Sequence, residues 1–134
     1  GLMKQELQDK LFEKYPKIFI QKDWSMQQTC MCWGICTGDG WYHILDTLCH
    51  EIQHRVDTIE ELEQVEAVQV KEKWGGLRFY YEGGDDYIAG LVSYAESLSM
   101  IACIECGRPT EDTVRSWMKI CPNCEKGLDK TSSE

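Results

Sequence analysis

The sequence lacks any long apolar run. No stretch of its 134 residues approaches the roughly twenty consecutive apolar residues that a membrane-spanning helix needs. The first twenty residues also lack the apolar core and small-residue cleavage site of a secretion signal, because charged side chains interrupt every run. The sequence therefore predicts a cytoplasmic protein with no membrane partner.

Basic residues are scarce as well. Lysine and arginine total 14 against 23 aspartates and glutamates, which gives a formal net charge of −9. Proteins whose main work is binding nucleic-acid phosphates need positive charge at the contact. The charge balance therefore argues against nucleic acid as the partner. It favours solubility, a small-molecule site or a protein partner with a basic surface.

Cysteine, by contrast, is abundant, with eight residues in the chain. Thiols of cytoplasmic proteins stay reduced, either free or bound to metal. Four of the eight form two C-x2-C pairs, Cys103 with Cys106 and Cys121 with Cys124, separated by 14 residues. Two thiolates three residues apart can face one ion from a tight turn, and two such turns complete a tetrahedron. We therefore predict one structural zinc ion as cofactor, with no open position for a substrate.

Three further expectations concern the cysteines. Gly107 follows the first pair, at a point where such turns often need a positive φ angle. The 14-residue spacer is one residue shorter than usual for a zinc ribbon and has room for a small hairpin. The remaining cysteines fit no zinc pattern and are predicted to be scattered, reduced core residues: Cys30, Cys32, Cys36 and Cys49.

The apolar spacing predicts an α+β fold in which helices pack with a β-hairpin. Helices are expected over residues 3–15, over 41–56 with Asp39 as N-cap, and from Asp85 to 102; the hairpin strands are expected at 67–73 and 77–82. One apolar stripe runs along the third helix, through Tyr87, Ile88, Leu91, Tyr94, Ala95, Leu98, Ile101 and Ala102. No regular element is predicted for residues 18–37, although 18–20 could form a short strand. The acidic stretch 57–66 is expected to be a short exposed helix or a loop.

This pattern divides the chain into three parts. Residues 1–102 form an acidic α+β body that carries −8 of the net charge, and residues 103–127 form a zinc-ribbon-like four-cysteine subdomain. Residues 128–134 form a polar tail. Residues 103–134 hold five basic and six acidic groups, fewer basic ones than a nucleic-acid-binding zinc ribbon usually has.

A second motif, H-E-x-x-H, is formed by His50, Glu51 and His54. On a helix its two imidazoles share one face and could bind zinc, with the glutamate placed to deprotonate a zinc-bound water. His43 lies on the same face but two turns away, and no second signature supplies a third ligand. A zinc metallohydrolase is therefore one alternative, against the simpler interpretation of a solvated polar face.

The hairpin offers another alternative. Basic and aromatic residues cluster around its Gly-Gly turn within 71–81, where stacked rings and cations could hold a nucleic acid. The same residues fit a core and a turn, with Leu77, Phe79 and Tyr81 on the buried face and Trp74 covering it. Arg78 and Tyr80 lie on the opposite face and are the residues to test first.

Three segments together resemble a known family. These are CWG at 32–34 with GDGWY at 38–42, VKEKWGGLRFYY at 70–81, and the two C-terminal cysteine pairs. They resemble a family of small proteins encoded in bacteria and their phages, over about residues 15–124. The resemblance implies a bacterial, phage or prophage origin and a cytoplasmic location, but brings no established activity. It also implies that His50 and His54 are not part of the family's pattern.

The sequence as a whole favours an interaction protein stabilised by zinc over an enzyme. Its expected partner is a protein. The more specific expectation is that it binds a basic surface on a bacterial host factor.

Overall fold

A computed structural model describes residues 1–110 and 120–126 of the chain. Three helices and a three-stranded sheet make up this part, which confirms the α+β class: α1 Gln5–Lys14, β1 Ile35–Cys36, α2 Tyr42–Thr58, β2 Glu66–Lys73, β3 Gly76–Glu82 and α3 Asp86–Ser99. Short 3-10 segments lie at Ile20–Asp23, Met31–Trp33 and Asp39–Trp41. None of the helices in the described residues combines the length and apolar character that crossing a membrane requires.

The hairpin prediction is confirmed to within one residue at each strand end. β2 and β3 pair antiparallel, with Val70 opposite Phe79. Leu77 and Phe79 are buried, while Arg78 and Tyr80 lie on the other face. Trp74 does not cover the core, contrary to the prediction: it sits in the turn with a φ of 55° and is 74% exposed.

A third strand was not predicted. β1 has only two residues and pairs parallel to β2, with Ile35 opposite Val70. The buried side chain of Gln8 supports it, because the Ile35 N–H donates to Gln8 Oε1 (2.9 Å) and Gln8 Nε2 donates to the Met3 carbonyl (2.7 Å). The hairpin therefore pairs with a third strand that α1 holds in place.

Neither the short strand possible at 18–20 nor the helix cap expected at Asp39 is present. Residues 18–20 form a turn that leads into a 3-10 helix rather than a strand, with Ile18 and Phe19 both buried. Asp39 does not cap α2, because a 3-10 turn intervenes and its Oδ1 accepts the Lys4 backbone N–H at 2.8 Å. The acidic stretch after α2 is a loop with exposed glutamates, as expected.

α3 begins as the sequence predicts and ends earlier. The Asp85 carboxylate accepts the Ile88 N–H at 3.1 Å and so caps the helix. The helix ends at Ser99, three residues before the predicted end. Half of the predicted apolar stripe is exposed to solvent rather than buried in the core: Tyr87, Tyr94, Leu98 and Ile101.

One core joins all the helices to the sheet. Its fully buried large side chains include Leu11, Trp41, Ile52 and Leu77. Cys49 lies in this core as predicted, but the expectation is wrong for Cys30, which is exposed, and for Cys32 and Cys36, which are only partly buried. In the 3-10 segment that holds Cys32, Met31 occupies the buried position instead.

α3 also covers the free edge of the sheet. The Leu77 N–H donates to Ser99 Oγ (2.8 Å), and the Phe79 N–H donates to Glu96 Oε2 (2.9 Å). Two edge donors of β3 are thus satisfied by helix side chains, which removes part of the edge on which another strand could pair.

The Ser99→Ala variant should lose stability through this contact. Ser99 is fully buried, so the alanine leaves the Leu77 N–H without its acceptor. Orphaning a buried donor costs about 1–3 kcal/mol of unfolding free energy. Urea unfolding of this variant, compared with Ser97→Ala at an exposed position of the same helix, measures it. Equal stabilities for the two variants would contradict the assigned role.

Candidate metal centre

The first cysteine pair lies on a tight turn directly after α3. The Gly107 N–H donates to the Cys103 carbonyl at 2.8 Å, and the Cys103 N–H donates to the Arg108 carbonyl at 2.9 Å. Gly107 has a φ of 83°, so the predicted positive φ is confirmed. This turn brings the thiols of Cys103 and Cys106 to the same side of the backbone.

The second pair lies at the start of a short helical turn over residues 122–126. The Glu125 N–H donates to the Cys121 carbonyl at 2.9 Å and closes this turn. The Cys121 N–H donates to Cys103 Sγ at 3.2 Å and thereby joins the two turns. The hairpin expected between the pairs falls mainly on residues 111–119, and the polar tail on 128–134; both lie outside the described residues.

The four sulfur atoms of Cys103, Cys106, Cys121 and Cys124 lie within 4.8 Å of one another. The Cys106 and Cys121 sulfurs are 3.7 Å apart. Zinc–sulfur bonds of about 2.3 Å in a tetrahedron put neighbouring sulfurs about 3.8 Å apart, so the cluster fits the ion. Four soft thiolates favour zinc among the common divalent metals. The cofactor prediction is confirmed to this extent: the four cysteines are positioned to hold one metal ion such as zinc.

The four thiols of the cluster differ in burial and in pKa. Cys103 and Cys121 are buried, Cys124 is partly buried and Cys106 is exposed. The backbone N–H of Cys124 holds the pKa of the Cys121 thiol at about 7, below its usual value. Burial raises the pKa of Cys124, and the neighbouring thiols raise it further. Since zinc binds thiolates, binding displaces the remaining protons and zinc affinity falls as the pH falls.

The metal centre packs directly on the GDGW segment of the body. The Gly40 N–H donates to the Ile104 carbonyl at 2.8 Å. The indole N–H of Trp41, a fully buried residue, donates to the Ala102 carbonyl at 3.0 Å. These two hydrogen bonds hold the backbone on either side of Cys103.

Glycine is required in GDGW because the two backbones approach closely. A Cβ atom on Gly40 would lie 2.2 Å from the Cys103 carbonyl oxygen, and one on Gly38 would lie 2.1 Å from that of Ile104. A Cβ on Gly107 would in turn lie 2.6 Å from the Gly40 oxygen. The GDG pattern by itself predicts only a turn and does not indicate this docking surface. The available signal is the pair of glycines, since only glycine permits such contact between backbones.

A Trp41→Phe variant tests whether the body positions the centre. Phenylalanine fills most of the buried site but leaves the Ala102 carbonyl without its donor, at a cost of about 1–3 kcal/mol. We expect lower stability and faster loss of zinc to a chelator, because Ala102 directly precedes the first ligand. Trp33→Phe, at an exposed tryptophan, is the matched control. Identical chelation rates in the two variants would contradict the coupling.

The H-E-x-x-H motif lies on α2 with His43, His50 and His54 all exposed. Glu51 Oε1 lies 3.6 Å from His50 Nδ1. In residues 1–110 and 120–126, the four cysteines are the only group of three or more potential ligands whose atoms come together. The structure therefore brings no third ligand to the histidine pair within this part of the chain.

The basic hairpin packs on the core through one of its faces. Leu77 and Phe79 are buried, and the Arg78 guanidinium donates to the Leu77 carbonyl at 3.0 Å. Tyr80 and Trp74 are exposed. The burial pattern agrees with a core strand, and the nucleic-acid alternative stays a prediction.

The fold and the site together define a class of protein, a small α+β protein with a closed four-cysteine metal centre docked on its body. Comparison of the chain with family models, curated proteins and solved structures gives no match.

Proposed function

We propose that the protein is a zinc-stabilised interaction protein that binds a partner protein through a basic surface of that partner. We further propose that it is of bacterial, phage or prophage origin and acts in the cytoplasm. The observation that carries the proposal is the pairing of a closed four-thiolate centre with an acidic body.

The metal centre supports a structural role. A zinc ion bound by four cysteines has its tetrahedral shell complete, which leaves no position for a substrate or a reactive water. The cluster of Cys103, Ile120 and Cys121 is a small core of its own, and Ile104 joins it to the main core. A segment this small depends on its metal for a fixed structure.

The charge of the body supports a basic partner. The last turn of α2 and the loop after it present four exposed carboxylates, those of Asp57, Glu60, Glu61 and Glu63. Acidic surfaces steer basic partners and raise their association rates, and salt weakens this attraction. The origin and the cytoplasmic location rest on the resemblance of the GDGW and VKEKWGGLRFYY segments.

Capture of partners from bacterial lysate at low and at high salt tests the proposal. We expect proteins that bind at low salt and are released at high salt. The double variant Glu60→Gln/Glu63→Gln should capture less of them than Glu6→Gln/Glu13→Gln, which removes the same charge from α1. Capture of only salt-insensitive partners would contradict the proposal.

A further inference from the structure

The exposed face of α3 is unusually apolar for a solvent-facing surface. Tyr87 is 53% exposed, Tyr94 67%, Leu98 36% and Ile101 50%. Tyr87, Tyr94 and Leu98 recur at helical spacing on the side of α3 away from Ile88, Val92 and Ala95, which face the core, and Ile101 follows just beyond the end of the helix. Several exposed apolar side chains along one helix of a small protein are typical of an interaction surface.

Beside this face lies a groove between α2 and α3. The Arg55 guanidinium near the end of α2 contacts the Asp85 carboxylate at the start of α3 at 3.0 Å, so the helices run antiparallel. The groove has a volume of about 320 Å³, and its apolar wall is formed by Ile44, Leu48, Leu91, Ala95 and Leu98. A groove between two antiparallel helices can accept the apolar face of a third helix.

The charges around the groove are acidic. Glu51 is its one charged lining residue. α3 contains no lysine or arginine, and its Glu96 carboxylate faces β3, where it accepts the Phe79 N–H. The one arginine of α2, Arg55, is paired with Asp85 and lies over the Tyr87 ring. A second copy of the chain would bring another charge of −9, whereas a basic partner would be attracted.

We propose that the α2–α3 groove binds an amphipathic helix of the partner protein. The helix places apolar residues at positions i, i+3, i+4 and i+7 in the groove and lysines or arginines along the margin that faces Glu51. This inference rests on the proposed function, because it identifies where and by what chemistry the basic partner binds.

Two designed helical peptides test the inference directly. Both carry leucine at i, i+3, i+4 and i+7; one has lysine and the other glutamate at the remaining polar positions. We expect the lysine peptide to bind the full-length, zinc-loaded protein at least about tenfold more tightly than the glutamate peptide. Amide NMR shifts should map the lysine peptide to Ile44, Leu48, Leu91 and Leu98.

Variants separate the groove from general acidity. Leu98→Ala and Glu51→Lys should each weaken binding of the lysine peptide by about tenfold. Ile20→Ala, at an exposed apolar residue elsewhere, and Glu13→Lys, at an exposed carboxylate of α1, are the matched controls and should bind as the wild type does.

Each other outcome overturns the inference. Equal binding of both peptides, or of neither, excludes a basic helix as the occupant. Binding of the lysine peptide that Leu98→Ala leaves unchanged places it outside the groove, while salt-sensitive capture from lysate would still uphold the proposed function. A dimer in sedimentation that Leu98→Ala converts to monomer identifies a second copy as the occupant.

Discussion

Replacing Cys121 with serine is expected to abolish tight zinc binding and to lower the stability of the whole chain. Cys121 is buried, and its backbone N–H also donates to Cys103 Sγ. Structural zinc contributes about 10–16 kcal/mol of apparent binding free energy in zinc-finger peptides, most of which depends on a complete ligand set. Mutation of groups that only orient metal ligands already lowers metal affinity by about 10–100-fold. Loss of a ligand itself should therefore lower zinc affinity by more than that.

The body should survive this substitution with its helices intact. Its core is a separate cluster from that of Cys103, Ile120 and Cys121. The unfolding temperature should still fall, because the hydrogen bonds from Gly40 and Trp41 lose their ordered partners. Thermal unfolding by circular dichroism, with zinc content measured in parallel, checks both expectations.

Cys30→Ser is the matched control for the ligand variant. Cys30 is an exposed free thiol outside the cluster. This variant should keep its zinc and the wild-type unfolding temperature. Loss of zinc in Cys30→Ser, or full zinc retention in Cys121→Ser, would contradict the assigned ligand set.

Gly40→Ala should destabilise the protein by about 3 kcal/mol, the upper end for overpacked sites. The new methyl group would lie 2.2 Å from the Cys103 oxygen, 2.5 Å from the Gly107 nitrogen and 2.8 Å from the Cys106 nitrogen. All three are backbone atoms, so no side chain can rotate away, and the metal centre must move off the body. Urea unfolding and the rate of zinc loss to a chelator should both report the change.

The same substitution at Gly90 should have the opposite effect. Gly90 lies within α3, and a Cβ there meets no atom within 4 Å. Alanine is favoured over glycine in a helix by roughly 0.5–1 kcal/mol, so Gly90→Ala should stabilise the protein by about that amount. Equal effects of the two variants would contradict the account of Gly40 as a docking residue.

The parts of the fold that the sequence predicted are those encoded locally. The hairpin was found because alternating apolar residues flank a Gly-Gly turn, and its strands came within one residue of the observed ends. The cysteine cluster could be predicted because the spacing of the cysteines is enough to show that two C-x2-C turns can bind one shared ion.

The parts that were missed depend on contacts between distant segments. β1 has two residues and no periodicity; it is a strand only because Ile35 pairs with Val70 and Gln8 supports it. The docking of Cys103 on Gly40 likewise joins segments about sixty residues apart. The apolar residues of α3 form a single stripe in the sequence, and periodicity does not show which of them will be covered by the core.

Zinc content of the purified protein, measured by native mass spectrometry, shows whether the four cysteines form the one metal site of this protein. We expect one zinc ion per chain, retained in His50→Ala and lost in Cys121→Ser. Two zinc ions per chain, one of them lost in His50→Ala, would contradict this expectation and favour the metallohydrolase alternative. A protein that folds with no bound metal would contradict it as well.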